Sequence, residues 1–269
     1  RCSDDRVNRI FETAVRTAHL CSQDYLWDGI KRDRLVWQGD MHPEVSTLLA
    51  VFGGTPVIRQ SLDYMVATTP TDGWMNNKPS YTMWWILCLR DDWMTTGDLG
   101  FVRRHADYFR DTVLHLCAAV KDGGDWCFPG FEQGFLDWPT EHNRPAVMAG
   151  MRGLYVWSLS AAAELARALD DRPTVAACDA AVAKLKAAKP SPAGAKSAAA
   201  LLAAGVKRHP LDVVLRSQHH QNLLVLDEVQ NIHVHVRRVI DLRPALIRIL
   251  CTDLRCLFLN DRQNVLVRS

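Results

Sequence analysis

The feature that most limits what this chain can fold into is a repeated unit in its first 190 residues. Apolar residues recur at spacings of three and four, and each run is cut by Gly, Pro or Asp before the next begins. Val7, Ile10, Phe11, Ala14 and Ala18 share one face of a helix predicted over 4–22, with Ser3 as its cap. Helical patterns return at 43–53 and 55–68, split by Gly53-Gly54, with Pro56 just inside the second. Pro79 opens a strongly apolar helix that runs to Thr96 and stops at Gly97. Asp98 caps a helix over 98–121, and Asp122-Gly123-Gly124 ends it. Two more follow at 146–169 and 172–188, parted by Asp170-Asp171-Arg172-Pro173. The pattern predicts an all-α fold of paired helices. Short turns join the pairs at one end and long aromatic-rich loops join them at the other. A bundle, a solenoid or a closed α/α toroid would satisfy it.

Composition divides the chain. All nine tryptophans lie between Trp27 and Trp157. The last glycine is Gly205, and the 64 residues after it hold none, where about four are expected at the usual frequency. Residues 1–190 thus read as one domain, 191–205 as an Ala/Pro/Lys-rich bridge, and 206–269 as an anomalous tail. The tail is read either as a second module, with a strand over Asn231–Asp241 where Ile232, Val234 and Val236 alternate with polar residues, or as the product of a reading-frame error.

Several function classes find no support. The net charge of +2 gives no bulk signal for nucleic acid, and Lys207-Arg208 and Arg237-Arg238 are short pairs typical of solvated surface. No apolar run approaches a membrane span. The eight cysteines contain no CxxC pair, so a structural zinc site is not expected. His219-His220 with His233 and His235 do not amount to a metal site, and no cofactor is called for. The chain starts at Arg1 rather than Met, which reads as a fragment or processed product and leaves the compartment open.

The chemistry concentrates between Asp28 and Asp40. That segment, Asp-Gly-Ile-Lys-Arg-Asp-Arg-Leu-Val-Trp-Gln-Gly-Asp, places three carboxylates, three cations and a tryptophan within thirteen residues. Spacing alone would also allow a solvated charged loop. Clustered carboxylates are what glycoside hydrolysis needs: one protonated to serve the leaving oxygen, others ionised to bind hydroxyls and offset positive charge on the sugar. Aromatic rings, abundant in the long loops, pack on the apolar faces of sugars.

With those residues in place, a resemblance emerges. Asp28, Asp33, Trp37, Gly39 and Asp40 are similar, in register, to the catalytic loop of the bacterial α-L-rhamnosidases, and Asn77-Lys-Pro-Ser-Tyr-Thr-Met-Trp-Trp and Gly134-Phe-Leu-Asp137-Trp138-Pro extend the likeness over residues 4–190. The resemblance implies an (α/α)6 barrel of six helical hairpins and a carbohydrate partner. It implies Asp33 as general acid, Asp28 and Asp40 as ligands of sugar hydroxyls, Trp37 packed on the ring, and Asp137 with Trp138 lining the same pocket. The family has Glu at the acid position. Asp33 is one methylene shorter, which sets the acid back by about 1.5 Å.

The resemblance also implies a catalytic base, a Glu on a late loop, and no matching motif follows; Glu228 in Leu-Asp-Glu-Val lacks the expected surroundings. The expectation is an incomplete barrel that hydrolyses nothing by itself. Another six-hairpin glycosidase acting on glucosides or uronides is the enzymatic alternative, and a helical carbohydrate-binding protein the non-enzymatic one.

Overall fold

A computed structural model describes residues 2–131 and 134–188. The bridge over 191–205, the tail over 206–269 and the strand expected at Asn231–Asp241 lie outside the described residues. Among those described, the fold is all-α. Its helices are α1 (Asp5–Cys21), α2 (Gln38–Phe52), α3 (Pro56–Thr68), α4 (Pro79–Thr96), α5 (Leu99–Arg104), α6 (Ala106–Ala119), α7 (Arg144–Ala168) and α8 (Arg172–Ala187). Single 3-10 turns at Met75–Asn77 and Trp138–Thr140 sit in the long loops.

The helices form two layers. The main contacts run from α2 to α4, from α4 to α7, and from α7 to α8. The inner helix α4 is buried from Pro79 to Leu89 without a break, which explains why its sequence is apolar all round rather than striped. Trp84 and Trp85 are core, at 1% and 0% exposure. Truncating either to Ala would cost about 3–5 kcal/mol. The outer helix α1 buries only Val7 and leaves Leu20 at 39% exposure beside its polar residues. His42 on α2 is enclosed between Trp84 and Trp157, with ring centroids 5.0 and 5.1 Å away.

The structure corrects the sequence reading in several places. The cap of α1 is Asp4, whose Oδ1 accepts from the N–H groups of Arg6 and Val7. Ser3 lies one residue too far out to reach those donors. The helix expected over 98–121 is two helices that break at His105 (φ −104°, ψ 12°), where Arg104 and His105 both bind Asp63 of α3. Asp92 pairs with Arg59 at 2.9 Å, and Asp91 faces His42 at 3.2 Å and Arg90 at 3.1 Å.

One difference bears on the site. The helix expected from residue 43 begins at Gln38, with Pro43 inside it. Proline lacks a donor for the ladder and normally marks a helix start, so the pattern pointed to a later beginning. Here the start is fixed from another segment. The N–H of Gln38, one of the unsatisfied donors of a first turn, reaches Oδ1 of Asn76 at 2.9 Å. Asp40 therefore stands on the first turn of α2 rather than in a loop.

Candidate active site

The Asp28–Asp40 segment is a compact loop closed on itself. The N–H of Asp28 donates to the Leu35 carbonyl at 3.2 Å, and that of Arg34 to the Gly29 carbonyl at 3.2 Å. Arg34 and Gly29 both take positive φ, 48° and 132°, and Arg34 Nε donates to the Ile30 carbonyl at 2.9 Å. Asn76 then fastens the loop to α2: besides accepting from Gln38, it donates from Nδ2 to the Val36 carbonyl at 3.1 Å. Trp37 is held between those two contacts. Asn76 itself adopts the left-handed conformation (φ 47°), which Asn tolerates better than most side chains.

Trp37 stands edge-on to Tyr81 of α4 with centroids 6.4 Å apart, and Tyr81 meets Phe135 at 6.1 Å. Phe135 in turn meets Trp138 at 5.2 Å. The Nζ of Lys78 lies 5.8, 5.4 and 5.2 Å from the rings of Trp37, Tyr81 and Phe135. This aromatic wall joins the early loop to the Asp137-Trp138 loop, 100 residues away. Trp138 is exposed, at 62%.

Four carboxylates sit within mutual electrostatic range. Asp40 is pushed up to about 7, first by burial, then by the charges of Asp28, Asp137 and Asp33, with Arg32 opposing. Asp137 rises to about 6 by burial, with the Trp138 N–H opposing; that N–H meets Oδ1 at 2.8 Å, while Oδ2 is buried and unpartnered among the described residues. Asp28 is raised by burial, by the charge of Asp33 and by the hydrogen bond the two share. Asp33 runs the other way. Arg32 grips it through Nε at 2.9 Å and Nη2 at 2.6 Å and holds it below the usual carboxylate range. In the unliganded chain, then, Asp33 holds a proton least tightly of the four, and Asp40 is the one half-protonated near neutrality.

All six residues singled out in the sequence are accounted for in this arrangement. Asp28, Asp33 and Asp137 each act electrostatically on Asp40, and Trp37 and Trp138 occupy two ends of the aromatic wall. Sequence reasoning passed over Tyr81, Lys78, Asn76 and Glu44. Tyr81 stands inside the quoted Asn77–Trp85 segment, and Glu44 is one helical turn beyond Asp40; both signals were available. Asn76 was read only as a turn residue. Among the described residues no group of His, Cys, Asp and Glu is arranged to hold a metal ion, and no helix is long and apolar enough to cross a membrane.

Comparison with known proteins agrees with this fold. The fold resembles the crystal structure of a GH78 family rhamnosidase of Bacillus sp. GL1, with a TM-score of 0.61 and 24% identity over 70% of this chain and 21% of that one. It also resembles a rhamnosidase from Klebsiella oxytoca with rhamnose bound, with a TM-score of 0.64 and 21% identity over 82% of this chain and 48% of that one. The chain thus spans less than half the length of either. No curated protein matches the sequence. The model of the bacterial alpha-L-rhamnosidase 6 hairpin glycosidase domain matches residues 1–190. The chain belongs to that family of six-hairpin glycosidases.

Proposed function

We propose that residues 1–190 carry the sugar-binding and acid side of an inverting glycoside hydrolase site for a terminal α-L-rhamnosyl or related sugar. The observation that carries the reading is the convergence of Asp28, Asp33, Asp40 and Asp137 beside an aromatic wall, with proton affinities spread from below the usual carboxylate range to about 7. Carboxyl groups pushed apart in this way can divide acid and hydroxyl-binding roles at one pH. In this reading Asp33 protonates the glycosidic oxygen. Asp40 and Asp28 hold ring hydroxyls, Trp37 packs on the sugar, and Asp137 and Trp138 close the pocket.

Inversion also requires a carboxylate that activates water on the opposite face of the sugar. We place that base outside this set, so the chain binds sugar without turning it over. Hydrolysis of an aryl α-L-rhamnoside by the purified chain would refute that. In a longer parent that is active, Asp33→Asn abolishes turnover and spares L-rhamnose binding. Surviving turnover would remove Asp33 from the acid role; loss of binding alone would favour a helical carbohydrate-binding protein.

A second reading, a six-hairpin glycosidase for a uronide, is favoured by Lys78. Its cation faces three rings and has no carboxylate partner among the described residues. Tighter binding of D-glucuronate than of L-rhamnose would select it.

A further inference from the structure

Glu44 is the carboxyl that the loop motif does not contain. It lies on α2 four residues after Asp40, and side chains at that spacing project from the same helix face, one turn apart. Asp40 therefore marks the direction in which Glu44 points. Deeper along the same line is α4, where the Cys88 thiol feels the charge of Glu44. On the loop side Glu44 feels Asp28 and Asp40. The residue thus sits below the two carboxylates assigned to sugar hydroxyls and above the inner helix layer.

Its surroundings are unusual for a merely structural acid. The residue as a whole keeps some contact with solvent, yet its Oε2 is fully covered and has no hydrogen-bond partner among the described residues. Among the described residues no arginine, lysine or histidine acts on it, and both charges that do are negative. Burial and those neighbours raise its proton affinity well above that of an ordinary glutamate. A carboxyl in such a place stays neutral, with one O–H to give and one oxygen left to accept. Oε1 is not among the covered, unpartnered atoms, so a ligand hydroxyl can meet the carboxyl there.

Resting on the sugar-site reading above, we propose that Glu44 forms the floor of the cleft and hydrogen-bonds a sugar hydroxyl beneath Asp28 and Asp40, fixing which stereoisomer the site accepts. Sugars that turn that hydroxyl away leave the Glu44 carboxyl without its partner and bind more weakly.

The test is calorimetric titration of the whole chain with L-rhamnose and with its monodeoxy analogues, using Glu44→Met and Glu44→Gln. Glu44→Met removes both donor and acceptor, and L-rhamnose binding falls by about tenfold while the melting temperature holds or rises. One monodeoxy analogue then loses affinity for the wild type but not for Glu44→Met. Wild-type affinity in Glu44→Met overturns the inference and leaves the site reading standing; absence of L-rhamnose binding by the wild type overturns both. Should Glu44→Met not fold, the isosteric Glu44→Gln carries the test by infrared difference spectroscopy. A protonated-carboxyl band that moves when L-rhamnose is added to the wild type, and is missing in Glu44→Gln, supports the contact. A band that does not move with sugar rules it out.

Discussion

Gly39 lies against the ring of Tyr81 so closely that a β-carbon on it would fall 2.1 Å from Cε1 and 2.3 Å from Cζ. Tyr81 is only 6% exposed, and its ring is penned by Trp37 and Phe135. The glycine between Trp37 and Asp40 is thus a packing requirement of α2 against α4. Gly39→Ala is expected to destabilise the chain by about 1–3 kcal/mol through overpacking. Urea unfolding checks this; an unchanged midpoint would mean that the ring moves freely.

Asp40 makes stability depend on pH. Its folded proton affinity, about 7, exceeds that of an unfolded aspartate, so the folded chain binds more protons than the unfolded one between about pH 4 and 7. The stability from this group is complete below about pH 4 and is lost as pH rises through about 7. Asp137, at about 6, adds a loss of the same sign over a lower window. Asp40→Asn, a neutral isostere, should raise the melting temperature at pH 8 relative to wild type and flatten the decline between pH 5 and 8. Equal slopes in the two proteins would show that Asp40 ionises normally.

The fastening by Asn76 is open to direct test. Its side chain joins Val36 to Gln38 across Trp37, so Asn76→Ala leaves two backbone groups to find other partners. The expected loss is about 1–3 kcal/mol. Because the same contacts hold the start of α2, L-rhamnose affinity should fall with stability. Retention of affinity in a destabilised variant would separate the clamp from the site.

Arg32 and Trp138 should behave as surface residues with local effects. Arg32→Ala frees Asp33 from the contacts that hold it ionised, and carboxyl carbon NMR should show Asp33 titrating at higher pH while the melting temperature stays the same. Trp138→Ala should leave stability unchanged and weaken L-rhamnose binding by about two- to tenfold, the range for loss of one aromatic contact. A drop in stability would mean that its edge contact with Phe135 supports the loop rather than the sugar.

By itself the sequence determined most of the helices and pointed to the carboxylate-rich segment from Asp28 to Asp40. Pro56, Pro79 and Gly97 mark helix ends because proline fits a first turn and glycine takes the left-handed stop, and those boundaries stand in the structure. Asp28, Asp33, Trp37 and Asp40 fall within thirteen residues, so their proximity was legible from spacing. What only the tertiary structure decided were relations between distant segments. Asn76 starts α2 before Pro43 by satisfying a donor 38 residues away, which no local pattern encodes. Burial and neighbouring charge, rather than residue type, then set which carboxyl keeps a proton. Asp33 is held ionised by an exposed arginine beside it, while Asp40 and Glu44, enclosed on α2 without a cation in contact, hold theirs.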